Sequence, residues 1–182
     1  MRTNTLFALC LLVWTSAFSS FAAEPAATTN SAKPAPPESF QIRNQKFGNL
    51  LRPEDAKSAT GTPLVLYPAQ PWKCMTWKLH PAGESVFSLQ NHFTSKTLEA
   101  KSSDAQASVV QVPFAKDAGE RPTWRFTKLS DGLYEITDAK TGKALTAAAG
   151  ENGSVRIVVA DWQEKPEQKW ELIKTDPAKL TM

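Results

Sequence analysis

From residue 39 onward, apolar and polar positions alternate in short stretches that recur three times. Residues 40–44 (FQIRN), 87–91 (FSLQN) and 134–138 (YEITD) place apolar side chains at every second position and stop at Asn or Asp. A period of two is that of a half-buried strand, and Asn or Asp favours the turn that ends it. A second short strand is predicted around NLLR, KTLEA and KALTA. After polar turns (ATGT, SDAQA, ENGS) a third follows at PLVLY, SVVQV and SVRIVV, and a fourth at MTWKL, TWRFTKL and KWELI. No segment carries a helical period with caps. Asn152-Gly153-Ser154 also fits a glycosylation sequon, but it falls where the repeat demands a turn and is read as that turn.

The recurrence is in register. Phe40, Phe87 and Tyr134 follow one another at intervals of 47 residues, as do Ile42, Leu89 and Ile136, then Asn44, Asn91 and Asp138, then Leu51, Leu98 and Leu145. Trp77, Trp124 and Trp170 follow at 47 and 46. Four strands in each of three units give twelve. A unit of this length cannot bury its own apolar face, so the three must share one core, and closure into a barrel removes exposed strand edges. The three tryptophans are expected in that core, each indole N–H needing an acceptor.

The flanks read differently. Arg2, the apolar run Leu6 to Val13 and the small residues Ser20 and Ala22 around Phe21 make a secretory signal, residues 1–22, cleaved after Ala22. The apolar run is too short for a membrane span. Residues 23–38, with Pro25, Pro34, Pro36 and Pro37 among Ala, Thr and Ser, read as a disordered tether. The repeats occupy residues 39–176, and residues 177–182 form a C-terminal tail. The destination is secreted or periplasmic, with no stable membrane span after cleavage.

Charge and chemistry narrow the function. The formal net charge of +3 falls to +2 once Arg2 leaves with the signal, which is no footprint for nucleic acid. Cys10 leaves too, so Cys74 stands alone and no intrachain disulfide staples the domain. His80 and His92, with Cys74, make no metal spacing, and neither lies in a nucleophile-elbow context. No glycine loop cradles phosphate. The expectation is a non-catalytic protein without cofactor or metal.

The pattern aromatic-x-apolar-x-Asn, then Gly-x-x-Leu, then Asn-Gly-x-x-apolar, then Gln-x-Trp resembles the ricin-type lectin repeat. Unit one reads F40QIRN, GNLL, TGTPLVLY, MTW; unit three reads Y134EITD, GKAL, NGSVRIVV, QKW. The resemblance covers residues 39–175. It implies an all-β fold, a β-trefoil of twelve short strands in three repeats of about 47 residues with pseudo-three-fold symmetry. It also implies binding of glycans or glycoconjugates.

Sugar recognition needs an aromatic face for the pyranose and a carboxylate or amide for its hydroxyls. The family's acid after the second-strand leucine corresponds to Arg52, Glu99 and Thr146. Its third-strand aromatic corresponds to Tyr67, Val112 and Val159, and its Gln to Met75, Pro122 and Gln168. Each element is thus kept in one unit. Trp72, Phe114 and Trp162 stand in the loops between third and fourth strands, where they serve as stacking platforms or fold back over the barrel. The third unit ranks first, with Trp162 as platform and Asp161 and Gln168 as polar partners. The second follows, with Phe114, Glu99 and Arg121. The first has Tyr67 and Trp72, but Arg52 in the acid's place suits an anionic ligand better than a neutral sugar. The alternative is an accessory subunit that docks a protein partner or a cell surface, like the A and C subunits of cytolethal distending toxins. A trefoil protease inhibitor would need a protruding loop, and none stands out.

Overall fold

The computed structural model describes residues 38–150 and 153–181. The expected signal, nearly all of the expected tether, and Asn152 of the sequon lie outside those residues. Twelve strands occur among the described residues, four in each unit as the alternation requires. Unit one holds β1 (Glu38–Asn44), β2 (Leu50–Pro53), β3 (Leu64–Tyr67) and β4 (Thr76–Gly83). Unit two holds β5 (Val86–Asn91), β6 (Thr97–Ala100), β7 (Val109–Val112) and β8 (Trp124–Lys128). Unit three holds β9 (Tyr134–Asp138), β10 (Ala144–Ala149), β11 (Val155–Ala160) and β12 (Lys169–Lys174).

The first and fourth strands of all units close a ring in the order β1-β12-β9-β8-β5-β4, with β4 returning to β1. The pairs β2-β3, β6-β7 and β10-β11 form three antiparallel hairpins at one end of it. The hairpins meet at or beside their third strands. Arg156 stands opposite Val65, and single bridges join Pro63 to Val110 and Ser108 to Val158. A six-stranded barrel capped by a triangle of hairpins is a β-trefoil.

The register repeats as closely as the sequence. Within each unit the leading aromatic stands opposite the tryptophan: Phe40 and Trp77, Phe87 and Trp124, Tyr134 and Trp170. All three tryptophans are fully buried in one cluster with Ile42, Leu89, Ile136, Leu51, Leu98 and Leu145. Each indole N–H finds an acceptor in its own unit: Leu51 O at 3.1 Å, Leu98 O at 3.2 Å and Leu145 O at 3.0 Å. All three tryptophans are thus buried with their N–H groups paired.

The turn after each first strand is built the same way three times. The side-chain oxygens of Asn44, Asn91 and Asp138 accept from the backbone N–H groups two residues on, Lys46 (3.1 Å), Phe93 (3.0 Å) and Lys140 (2.7 Å). Four residues past each Asn or Asp the chain must take positive φ: Gly48 (67°), Ser95 (58°) and Gly142 (71°). Glycine fills two of these positions without strain, and serine accepts it in the third.

Candidate functional site

Three candidate ligand regions follow from the three hairpins, and they are built unequally. In unit one the third strand ends in Tyr67, 38% exposed, on the wall of a cavity of about 460 Å³. Arg52 from β2 shares that wall, its guanidinium carbon 3.8 Å from the centre of the Tyr67 ring. Trp72 lies on the same ring with centroids 6.0 Å apart and planes inclined by 28°. Glu54 and Asp55 from the turn after β2, and Gly153 to Val155 from unit three, complete the cavity. Trp72 is also anchored beneath, against Leu50, Cys74 and Met75. Its loop is fixed to the tail, where Lys73 N donates to Thr181 O and Thr181 N donates to Pro71 O. Burial pushes the Cys74 thiol up, and the neighbouring Arg52 pulls it the other way.

In unit two the loop aromatic is folded back. Phe114 lies 4.8 Å from His80, ring centre to ring centre, and Arg121 sits over it at 4.2 Å. Arg121 spends its donors on the backbone of that same loop, at Ala115 O (2.7 Å) and Lys116 O (2.8 Å). Glu99 is exposed on β6 and meets neither of them through a hydrogen bond or ion pair.

In unit three the polar groups are brought together, but by one another. Gln168 is buried; its amide donates to Asp161 O (2.7 Å) and Thr146 Oγ1 (3.2 Å) and accepts from Gln163 N (2.7 Å). It therefore fixes the loop from Asp161 to Gln163. The Asp161 carboxylate receives Lys143 Nζ at 2.7 Å. Trp162 is half-buried and lies outside the walls of the adjoining cavity of about 290 Å³. Those walls include Phe47, Gln106, Thr146, Gln163 and Gln168.

Phe47, Gln163, Glu54 and Asp55 were not legible as site residues. Phe47 and Gln106 reach the third-unit cavity from other units, and Ser154 reaches the first-unit cavity from unit three. A repeat read one unit at a time hides walls that come from its neighbours. Among the described residues no group of three or more His, Cys, Asp or Glu side chains could hold a metal ion. No helix among them is long and apolar enough to cross a membrane.

The closed six-stranded ring, the three hairpins and the repeated tryptophan register define the class as a β-trefoil. The chain belongs to the ricin-type beta-trefoil lectin domain family, whose sequence profile matches residues 38–170. Among solved structures it is similar to the designed three-fold symmetric protein ThreeFoil, with TM-score 0.68 and 21% identity over 75% of this chain and 99% of that one. It is also similar to the C-half of an earthworm R-type lectin in complex with GalNAc (TM-score 0.59, 16% identity, 76% and 100% of the two chains). A cytolethal distending toxin structure from Haemophilus ducreyi aligns with TM-score 0.61 and 17% identity over 75% and 83%. Two other similar structures are longer chains, of which this protein spans 30% and 17%. At these identities the likeness carries the fold. No curated protein matches the chain in sequence.

Proposed function

We propose that this protein is an exported, non-catalytic carbohydrate-binding β-trefoil whose working site is the first-unit cavity. The observation that carries the reading is Tyr67. It is an exposed aromatic at the family's third-strand position, on a cavity wall that also holds charged and polar groups. An aromatic beside convergent polar groups is the minimum a pyranose requires. Trp72 stacks on Tyr67 from outside the cavity wall, and its anchoring beneath helps hold the Tyr67 ring in place. Family membership supports the ligand class, and the secretory pattern of residues 1–22 supports export to a secreted or periplasmic location.

This ordering differs from the sequence ranking, which put the third unit first. There Gln168 and Asp161 are engaged with Thr146, Gln163 and Lys143, which leaves less of their hydrogen-bonding capacity for a ligand. In the second unit Phe114 is held between His80 and Arg121 and is half-buried, whereas Tyr67, which also carries Arg52 and Trp72 against its ring, stays exposed on its cavity wall.

The test is a glycan array probed with the exported protein and with Tyr67→Ala. Saturable binding to a saccharide class, weakened at least about tenfold by the substitution, supports the reading. A silent array together with a co-purifying second polypeptide overturns it in favour of the accessory-subunit alternative.

A further inference from the structure

We infer that the first-unit cavity selects an anionic saccharide, one carrying a carboxylate or a sulfate ester, through Arg52. The inference rests on the proposed glycan site and names its ligand class. Arg52 is only 8% exposed, yet no carboxylate lies within ion-pairing distance among the described residues. Its Nε is buried without a hydrogen-bond partner. A guanidinium stays charged at any physiological pH, and a buried charge without a counter-ion is a cost the fold must offset elsewhere. The face of Tyr67 offsets part of it. The Cys74 thiol beside it takes a side-chain hydrogen bond from the guanidinium but is only a weak acceptor, and burial pushes its pKa up.

An incoming anion supplies the missing counter-charge where Arg52 lines the cavity. The planar fork of Arg matches two oxygens of a carboxylate or sulfate at once, and the burial of Arg52 limits the screening of that pairing by water. A bare anion would leave the rest of the cavity unused. Glu54 and Asp55 stand on the same wall, the latter tied to Lys57 at 3.1 Å, and carboxylates accept from sugar hydroxyls. Asp55 and Ala56, with φ of 49° and 54°, hold this turn in a left-handed conformation that non-glycine residues adopt at some cost. The family's acid-bearing position has thus changed sign while the hydroxyl acceptors have moved two and three residues along the chain.

The experiment is calorimetric titration of the intact protein with three matched disaccharides: neutral, carrying a uronic acid, and carrying a sulfate ester. At least one anionic member is expected to bind about tenfold more tightly than the neutral one, and which one identifies the anion. Arg52→Gln should abolish that preference, and Arg52→Lys should keep part of it, because the charge remains without the fork. If Arg52→Gln fails to fold, the wild-type comparison and the Arg52→Lys protein decide. Equal affinity for all three sugars, unchanged in Arg52→Gln, overturns the anion inference and leaves the lectin reading standing. Absence of binding to any saccharide overturns both.

Discussion

Trp170 stands directly opposite Asn44 across the seam that joins the last unit to the first. The same register puts Trp77 opposite Asn91 and Trp124 opposite Asp138. Each seam therefore couples the residue that fills the core to the residue that ends the next unit's first strand. The pattern closes the chain into a ring without a disulfide, since Cys74 is free.

The indole N–H bonds in this ring are separable from the packing. Trp124→Phe keeps most of the apolar burial but leaves Leu98 O without its donor. An unsatisfied buried carbonyl costs about 1–3 kcal/mol. Urea unfolding of the variant should show that loss, with binding at the first-unit cavity retained.

Gln168 acts through the loop it holds. Gln168→Ala removes three hydrogen bonds to Thr146, Asp161 and Gln163 and should cost about 1–3 kcal/mol. Affinity for a saccharide is expected to change little in the same variant. A selective loss of affinity at unchanged stability would instead give Gln168 a ligand.

The strained turn in unit two offers a gain. Ser95→Gly should stabilise by about 0.5 kcal/mol, the relief of a left-handed serine less the entropy of a glycine. The reciprocal changes Gly48→Ala and Gly142→Ala should each cost about 1 kcal/mol. A Cβ there meets no atom within 4 Å, so the whole effect is backbone strain. Chemical denaturation of the three variants checks both signs.

Acid should weaken the fold through its histidines. Burial lowers the pKa of His92, with Lys78 and Lys73 adding to it, and burial likewise lowers that of His80. The unfolded chain therefore takes up protons first, near the ordinary value of 6.5, while the folded chain resists. This contribution is fully present above that value and is lost as pH falls through the lower folded values. The urea midpoint should drop between about pH 7.5 and 5, and His92→Gln should flatten the drop.

The fold was legible because its signals are local and repeated. Phe40, Phe87 and Tyr134 mark strand starts, Asn44, Asn91 and Asp138 mark turns, and each tryptophan needs the core. The structure placed all of them in equivalent positions. The site was less legible because a side chain's availability depends on partners distant in sequence. Asp161 could not be seen to meet Lys143, nor Phe114 to lie between His80 and Arg121. Arg52 was visible as a departure from the family's acid, but its burial and the lack of an ion-pair partner for it among the described residues come from three-dimensional surroundings.

The most direct measurement compares Tyr67→Ala and Trp162→Ala side by side against one bound saccharide, with melting temperatures recorded for both. Affinity should fall at least about tenfold in Tyr67→Ala and stay near wild type in Trp162→Ala, with both proteins folded. Loss of binding in Trp162→Ala with Tyr67→Ala unaffected would contradict the assignment and return the site to the third unit.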